Sequence, residues 1–191
     1  MKNFYMLLII SMIFFVSKPV YLQSQSTQEE DLKNFKLLGE VNEHHQFLYQ
    51  LAGEWKVNFV NYQLEETTSG IGESKSQIIY GGRYLEIKNV ILVQGSGYES
   101  TTLIGYDNRK EKYILIAYDN STNYPTIFTG TYNVAKKQFT FIGRDYMIFL
   151  KKEVEIKIEL TIDRENKFTS KFYYGDTKSP TIAMELVYIR K

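Results

Sequence analysis

The stretch Glu153–Asp163, EVEIKIELTID, decides the fold class of this chain. Valine, isoleucine and leucine occupy every second position, and glutamate, lysine and threonine lie between them. Side chains of a β-strand point alternately to the two faces of a sheet. A period of two therefore predicts a strand with one face in a core and the other face in water.

Similar segments recur on both sides of this strand, and short runs rich in Gly, Asn and Asp separate them. We predict further strands at 54–63, 73–80, 83–93, 97–106, 112–119, 126–133, 138–144, 167–174 and 181–190. Connections as short as Asp107–Lys110 favour hairpins between neighbours. A meander of about ten strands avoids exposed edges most simply by closing on itself. The predicted fold is therefore all-β, a closed antiparallel meander barrel.

The segment before the strands has helical patterning. Thr27 and Glu30 have the spacing of a capping box, which predicts that a helical lead-in over 27–42 begins at Thr27. A second helical pattern, over 42–52, leads directly into the first strand. A short N-terminal helix thus precedes one barrel domain that spans residues 43–191.

An apolar run, Phe4–Val16, follows Lys2 near the N-terminus. Its length fits the apolar region of a signal peptide and falls short of the roughly 20 residues that a membrane-spanning helix needs. Ser24-Gln25-Ser26 offers a small-x-small cleavage pattern. We therefore predict a signal peptide over 1–26, export to the periplasm or the medium, and a mature chain without a membrane span. An uncleaved N-terminal anchor is the alternative.

The overall composition excludes several functional classes. The 191 residues include 23 Lys and Arg against 22 Asp and Glu, so the net charge of +1 gives no support for binding to nucleic acid. The chain has no cysteine, which removes both a disulfide framework and a cysteine nucleophile. An aromatic content of 15% is typical of a chain that forms a core.

Short motifs follow one another in a fixed order along the predicted barrel. They are His45-x-x-Leu48-x-x-Leu51-x-Gly53-x-Trp55, Gly81-Gly82-Arg83-Tyr84-Leu85, Gly105-Tyr106-Asp107-Asn108, Lys112-Tyr113, Gly130-Thr131-Tyr132 and Met184-Glu185-Leu186-x-Tyr188-x-Arg190. In this order the chain resembles a bacterial family of unknown function whose members look like calycins, that is lipocalin-like β-barrels. The resemblance implies that Trp55 stacks on Arg190 to close the barrel, a cation–π contact worth about 0.5–2 kcal/mol.

Few residues suit metal binding or catalysis. His44 and His45 are the only histidines. Because neighbouring residues on a helix point about 100° apart, the two rings cannot both bind one metal ion. The sequence has no Gly-x-Ser-x-Gly motif, so a catalytic triad would have to be assembled around His45 alone. We predict no metal and no cofactor.

Charged residues interrupt several strands that are otherwise apolar. In a hollow barrel these side chains are candidates to point inward and orient a ligand. They are Arg83, Asp119, Arg144 and Glu185. Tyr118 joins them, because the resembling family carries a tryptophan in this strand. The alternative is that the charged residues lie at strand ends or pair with one another.

Three functions remain open. Barrels wider than eight strands leave room for a ligand, which favours an exported protein that binds a small, largely apolar molecule. An enzyme acting through inward polar residues, such as Arg83, Asp119 and Glu185, is a less favoured alternative. The third is a filled barrel whose loops, such as Asn120–Pro125, contact a partner.

Overall fold

The computed structural model describes residues 20–63, 66–147, 150–175 and 180–191. The chain divides into two compact units, Met1–Glu40 and Val41–Lys191. Within the described ranges, no helix combines the length and the apolar character that crossing a membrane requires.

The first unit contains helix α1, Val20–Leu38. The predicted helix start at Thr27 is wrong, because α1 runs through this residue. The sequence from Val20 to Leu38 contains no Gly or Pro that would interrupt a helix. The predicted signal peptide, 1–26, lies mainly outside the described residues, and its last seven residues belong to α1.

The second unit begins with a short helical segment, as predicted. It consists of α2, Glu43–Leu48, followed by one 3₁₀ turn, Tyr49–Leu51. Asn42 caps α2: its side-chain oxygen accepts a hydrogen bond from the N–H of His44 at 3.1 Å, and its own N–H donates to Nδ1 of His45 at 3.2 Å. This reciprocal pair fixes the start of α2.

Ten strands follow and form a closed barrel. They are β1 Gly53–Asn61, β2 Thr68–Ile79, β3 Tyr84–Val93, β4 Ser96–Asp107, β5 Lys112–Asp119, β6 Thr126–Asn133, β7 Gln138–Met147, β8 Lys152–Arg164, β9 Lys167–Tyr174 and β10 Thr181–Arg190. Each strand pairs antiparallel with the next, and β10 pairs with β1. The structure therefore confirms the predicted antiparallel meander barrel.

The core lies inside the barrel, on the apolar face of each strand. On β8 the buried side chains are Val154, Ile158, Leu160 and Ile162, which are alternate residues of the stretch that predicted the fold. Burial of such a side chain contributes about 1.5–3 kcal/mol. Alternation therefore sets both the register and the stability of the barrel.

Strand β2 passes unusually close to β3 at Gly72. A Cβ atom at Gly72 would collide with the carbonyl oxygen of Val90 and lie 2.6 Å from Cα of Ile91. We expect Gly72→Ala to lower the free energy of unfolding by about 1–3 kcal/mol, because backbone atoms must shift to make room. Urea denaturation measures this change. Gly97→Ala is the control, since nothing lies within 4 Å of an added Cβ there, and equal stabilities of the two variants would contradict the close approach.

Candidate ligand-binding site

One end of the barrel is closed by α2 and the 3₁₀ turn. Leu48 and Leu51 are both 0% exposed, which shows how completely this segment covers the end of the barrel. The ring of His44 stacks on Tyr106 with 4.2 Å between centroids, and the hydroxyl of Tyr113 donates to the backbone oxygen of His44 at 2.8 Å. These contacts attach the helix to β4 and β5, and we call this the closed end.

Trp55 and Arg190 meet at the closed end. Cζ of Arg190 lies 4.2 Å from the centroid of the Trp55 ring, the stacking that the family resemblance implies. The guanidinium also donates to the backbone oxygen of Ala52 at 3.1 Å. Gly53 has φ +144°, and a Cβ there would collide with Nη1 of Arg190. Glycine is therefore required where the chain passes from the helical segment into β1.

Aromatic rings continue from Trp55 into the barrel. Phe168 packs edge-to-face on Trp55 with 4.7 Å between centroids, and it stacks on Tyr188 at 4.0 Å. Tyr113 packs edge-to-face on Phe139 at 5.0 Å. All five rings are at least 96% buried, and we call them the aromatic floor.

A cavity of about 170 Å³ lies above the aromatic floor. It reaches the opposite end of the barrel, where Thr122 and Tyr124 of the loop between β5 and β6 line it. Most of its wall is aliphatic or aromatic, and the wall includes Ile87, Leu115, Phe128, Ile158, Leu160 and Leu186. An apolar cavity of about 150 Å³ admits benzene, so this one has room for a molecule built on a single ring.

Polar side chains lie on one wall of the cavity. Asn89 is 4% exposed, and its Nδ2 donates to Oγ of Ser100 at 3.0 Å. Its Oδ1 has no hydrogen-bond partner in the described part of the chain. Leaving a buried acceptor unpaired costs about 1–3 kcal/mol. Asn89 is therefore an open hydrogen-bonding position inside the barrel.

Asp119 connects the cavity to the loop between β5 and β6. Its Oδ1 accepts hydrogen bonds from the backbone N–H groups of Ser121 at 2.8 Å and Thr122 at 3.1 Å, which holds the loop in place. Its Oδ2 accepts from the hydroxyl of Tyr98 at 3.2 Å. Burial, together with the nearby Asp119 carboxylate, raises the pKa of Tyr98, so this hydroxyl keeps its proton and remains a donor.

Two of the five predicted ligand-binding residues line the cavity. They are Tyr118 and Asp119. Tyr118 is 51% exposed and lies at the rim, whereas Asp119 reaches the interior through its contact with Tyr98. Their predicted role in binding a ligand stays a prediction.

The other three residues do not line the cavity, so their predicted inward orientation is wrong. Arg83 follows the turn at the closed end, where its Nη1 donates to the backbone oxygen of Tyr80 at 3.2 Å. Arg144 faces outward, 3.7 Å from a carboxylate oxygen of Glu153. Glu185 also faces outward, and its carboxylate lies 3.4 Å from Nζ of Lys171.

The alternation of side chains explains these positions. Arg144 precedes Asp145 on β7, and Glu185 lies between Met184 and Leu186 on β10; these three neighbours line the cavity. Successive residues of a strand face opposite sides, so Arg144 and Glu185 must face the solvent.

Asn89, Tyr98 and Asp145 line the cavity but were not predicted as site residues. Alternation could have identified Asn89, because it lies in phase between Ile87 and Ile91, which are both buried.

No group of three His, Asp or Glu side chains in the described ranges is arranged to hold a metal ion.

His45 is a buried titratable group at the closed end. Burial, and then the charge of Arg83 and the neighbouring His44, lower its pKa below the usual 6.5, while a hydrogen bond with the backbone of Tyr106 acts in the opposite direction. The folded chain therefore binds this proton less readily than the unfolded chain does.

We expect the free energy of unfolding to fall as the pH is lowered below about 6.5, toward the folded-state pKa of His45. Denaturation between pH 7.5 and pH 5 measures this dependence. His45→Gln should flatten the curve in this range. An equally steep curve in the variant would show that another group is responsible.

The structure defines an all-β protein, a closed ten-stranded meander with an apolar cavity inside the barrel. The chain belongs to the family of proteins of unknown function DUF1579, whose sequence model matches residues 40–190. No curated protein matches the chain.

The solved structures that are similar to the chain include three that match at least 75% of it. A de novo designed fluorescence-activating β-barrel has a TM-score of 0.43 and 10% identity, and the match covers 79% of this chain and 100% of that one. A redesigned β-barrel has a TM-score of 0.38 and 14% identity, covering 75% and 93%. The protein EF1p2_mFAP2b bound to DFHBI has a TM-score of 0.43 and 11% identity, covering 77% and 98%.

Proposed function

We propose that this protein binds one small, largely apolar molecule inside the barrel. The observation that carries the proposal is the cavity of about 170 Å³, with apolar walls and the unpartnered Oδ1 of Asn89. Ligand sites are typically apolar pockets with a few polar groups that fix orientation. A ligand that donates a hydrogen bond to Asn89 would remove the cost of leaving this acceptor unpaired.

The positions of the charged residues favour binding over catalysis. Arg83 and Glu185, two residues of the enzyme hypothesis, lie away from the cavity. Oδ1 of Asp119 holds the loop after β5, which gives this carboxylate a structural role. The open interior likewise favours binding over a filled barrel that serves only as an interaction surface.

We also propose that the protein is exported and that it is a calycin-like barrel. Export is supported by the apolar run after Lys2 and the cleavage pattern that ends at Ser26. Intact mass measurement of the protein from the cell envelope or the medium tests this, with a chain beginning at Thr27 as the expected result. A chain that retains residues 1–26 would contradict cleavage.

Extraction of bound molecules tests the proposed binding function. The full chain is expressed in its own host, purified and denatured, and mass spectrometry identifies the small molecules released. We expect one compound in stoichiometric amount. The matched control is Ala117→Phe, which places a phenyl group in the cavity and should release little of it. Equal amounts from both proteins, or none from either, would contradict binding in this cavity.

A further inference from the structure

Three polar side chains form a row across neighbouring strands on the wall of the cavity. Asn89 of β3 lies opposite Ser100 of β4, and Ser100 lies opposite Asp119 of β5. All three line the cavity, and we call them the acceptor row. Adjacent strands are about 4.8 Å apart, so the row extends over about 10 Å.

The open hydrogen-bonding capacity of this row is for accepting hydrogen bonds. The amide nitrogen of Asn89 already donates to Ser100, and its buried oxygen has no partner in the described residues. The hydroxyl of Tyr98 already donates to Asp119. A ligand that offers donors therefore complements the wall, whereas a ligand that offers only acceptors leaves Asn89 unsatisfied.

The charge of the cavity lining also favours a ligand that donates hydrogen bonds. Asp119 and Asp145 both line the cavity, and its described lining includes no Lys, Arg or His. Two carboxylates without an opposing cation attract a positively charged group and repel an anion. Arg144, the neighbour of Asp145, faces outward toward Glu153 and does not neutralise the interior.

We propose that the ligand is a small primary amine with one apolar ring, whose ammonium group faces the acceptor row and whose ring occupies the apolar part of the cavity. This inference rests on the proposed function and specifies its ligand class. An ammonium group has three N–H donors and no acceptor, which matches the unpartnered Oδ1 of Asn89 and the negative charge of Asp119 at the other end of the row. The size of the cavity limits the apolar part to about one ring.

Three probes of nearly equal size and shape differ in charge, so their affinities report the contribution of charge. Benzylammonium carries a positive charge, benzyl alcohol is neutral, and benzoate is negative. We expect benzylammonium to bind the full chain most tightly and benzyl alcohol more weakly, because hydrogen bonds to charged groups contribute about twice as much as neutral ones. We expect benzoate to bind at least about tenfold more weakly than benzylammonium, because the two carboxylates of the lining repel an anion. Isothermal titration at low ionic strength measures the three affinities.

Asp119→Asn and Asp145→Asn test the role of the two carboxylates. Asparagine at 119 retains an oxygen for the loop N–H groups, so the loop keeps its anchor. We expect each variant to weaken benzylammonium by about fivefold or more and to leave benzyl alcohol nearly unchanged. Glu153→Gln is the matched control, since it removes the same charge from the outer face and should change neither affinity.

Benzoate that binds as tightly as benzylammonium would overturn the amine proposal and leave cavity binding intact. Unchanged selectivity in the double variant Asp119→Asn, Asp145→Asn would do the same. If none of the three probes binds, and Ala117→Phe behaves like the original chain in extraction, then the proposed function itself fails.

Discussion

Replacing Trp55 with alanine is expected to lower the free energy of unfolding by about 3–5 kcal/mol, the range for truncating a large aromatic side chain in a core. Trp55 is 1% exposed, packs on Phe168 and stacks on Arg190. Its loss leaves a void at the closed end and an exposed guanidinium without its ring. Urea denaturation followed by far-ultraviolet circular dichroism measures the change, since the variant has no tryptophan to report by fluorescence.

Tyr146→Ala serves as the control for this experiment. Tyr146 is 50% exposed on β7, so its removal should change the free energy of unfolding by no more than about 0.5 kcal/mol. If Trp55→Ala were as stable as Tyr146→Ala, the closed end would not carry the stability that the contacts of Trp55 indicate.

Ala117→Phe is expected to weaken the binding of a one-ring ligand by about 10- to 100-fold, because a cavity that already holds the new phenyl group is overpacked when the ligand enters, at a cost of about 1–3 kcal/mol. Ala117 lines the cavity, and the added phenyl group occupies the space that the ligand needs. Isothermal titration with benzyl alcohol measures the loss. The variant should remain folded, since the phenyl group enters an existing space in the core.

Ile116→Phe is the matched control on the adjacent position of β5. Ile116 does not line the cavity, so its replacement should leave the affinity unchanged. Thermal melts of both variants establish that each is folded before titration. Equal affinities of the two variants for benzyl alcohol would place the ligand outside the barrel.

Much of the fold was predictable from local patterns. The alternation in β8 and the hairpin spacing led to ten strands, and β5, β6, β9 and β10 begin and end at the predicted residues. β2 was predicted to begin at residue 73, but it begins at Thr68. Gly70 and Gly72 interrupt the apolar pattern there, and pairing with β1 and β3 extends the strand through both.

The closed end was more predictable than the cavity. The motifs that carry the family resemblance include Trp55 and Arg190, which stack on each other, and Tyr106, which stacks on His44 of α2. Arg190 also donates to the backbone oxygen of Ala52, directly after the 3₁₀ turn. The contact between Trp55 and Arg190 joins two residues that the motifs name, so the resemblance to the family predicts it. The lining of a cavity depends instead on which side of a strand each residue faces.

A charged residue in an apolar strand does not reveal its direction by its charge. Arg144 and Glu185 face solvent because their neighbours along the strand face the cavity. The position of each residue in the alternating pattern therefore predicts its direction. Asn89 shows the converse, since it is in phase with Ile87 and Ile91 and faces the core. The predicted helix start at Thr27 was wrong for another reason. The capping pattern at Thr27 lies inside α1, which begins at Val20, so the pattern does not mark the first turn of the helix.

The central claim is that a small molecule occupies the interior of the barrel. Methyl-resolved nuclear magnetic resonance during titration with benzyl alcohol tests it most directly. We predict that methyl signals of Leu115, Ile158 and Leu186, which line the cavity, shift with one saturating curve, while those of the exposed Ile71 and Leu92 remain unchanged. Shifts confined to Ile71 and Leu92, or no shifts at any concentration, would contradict a ligand site inside the barrel.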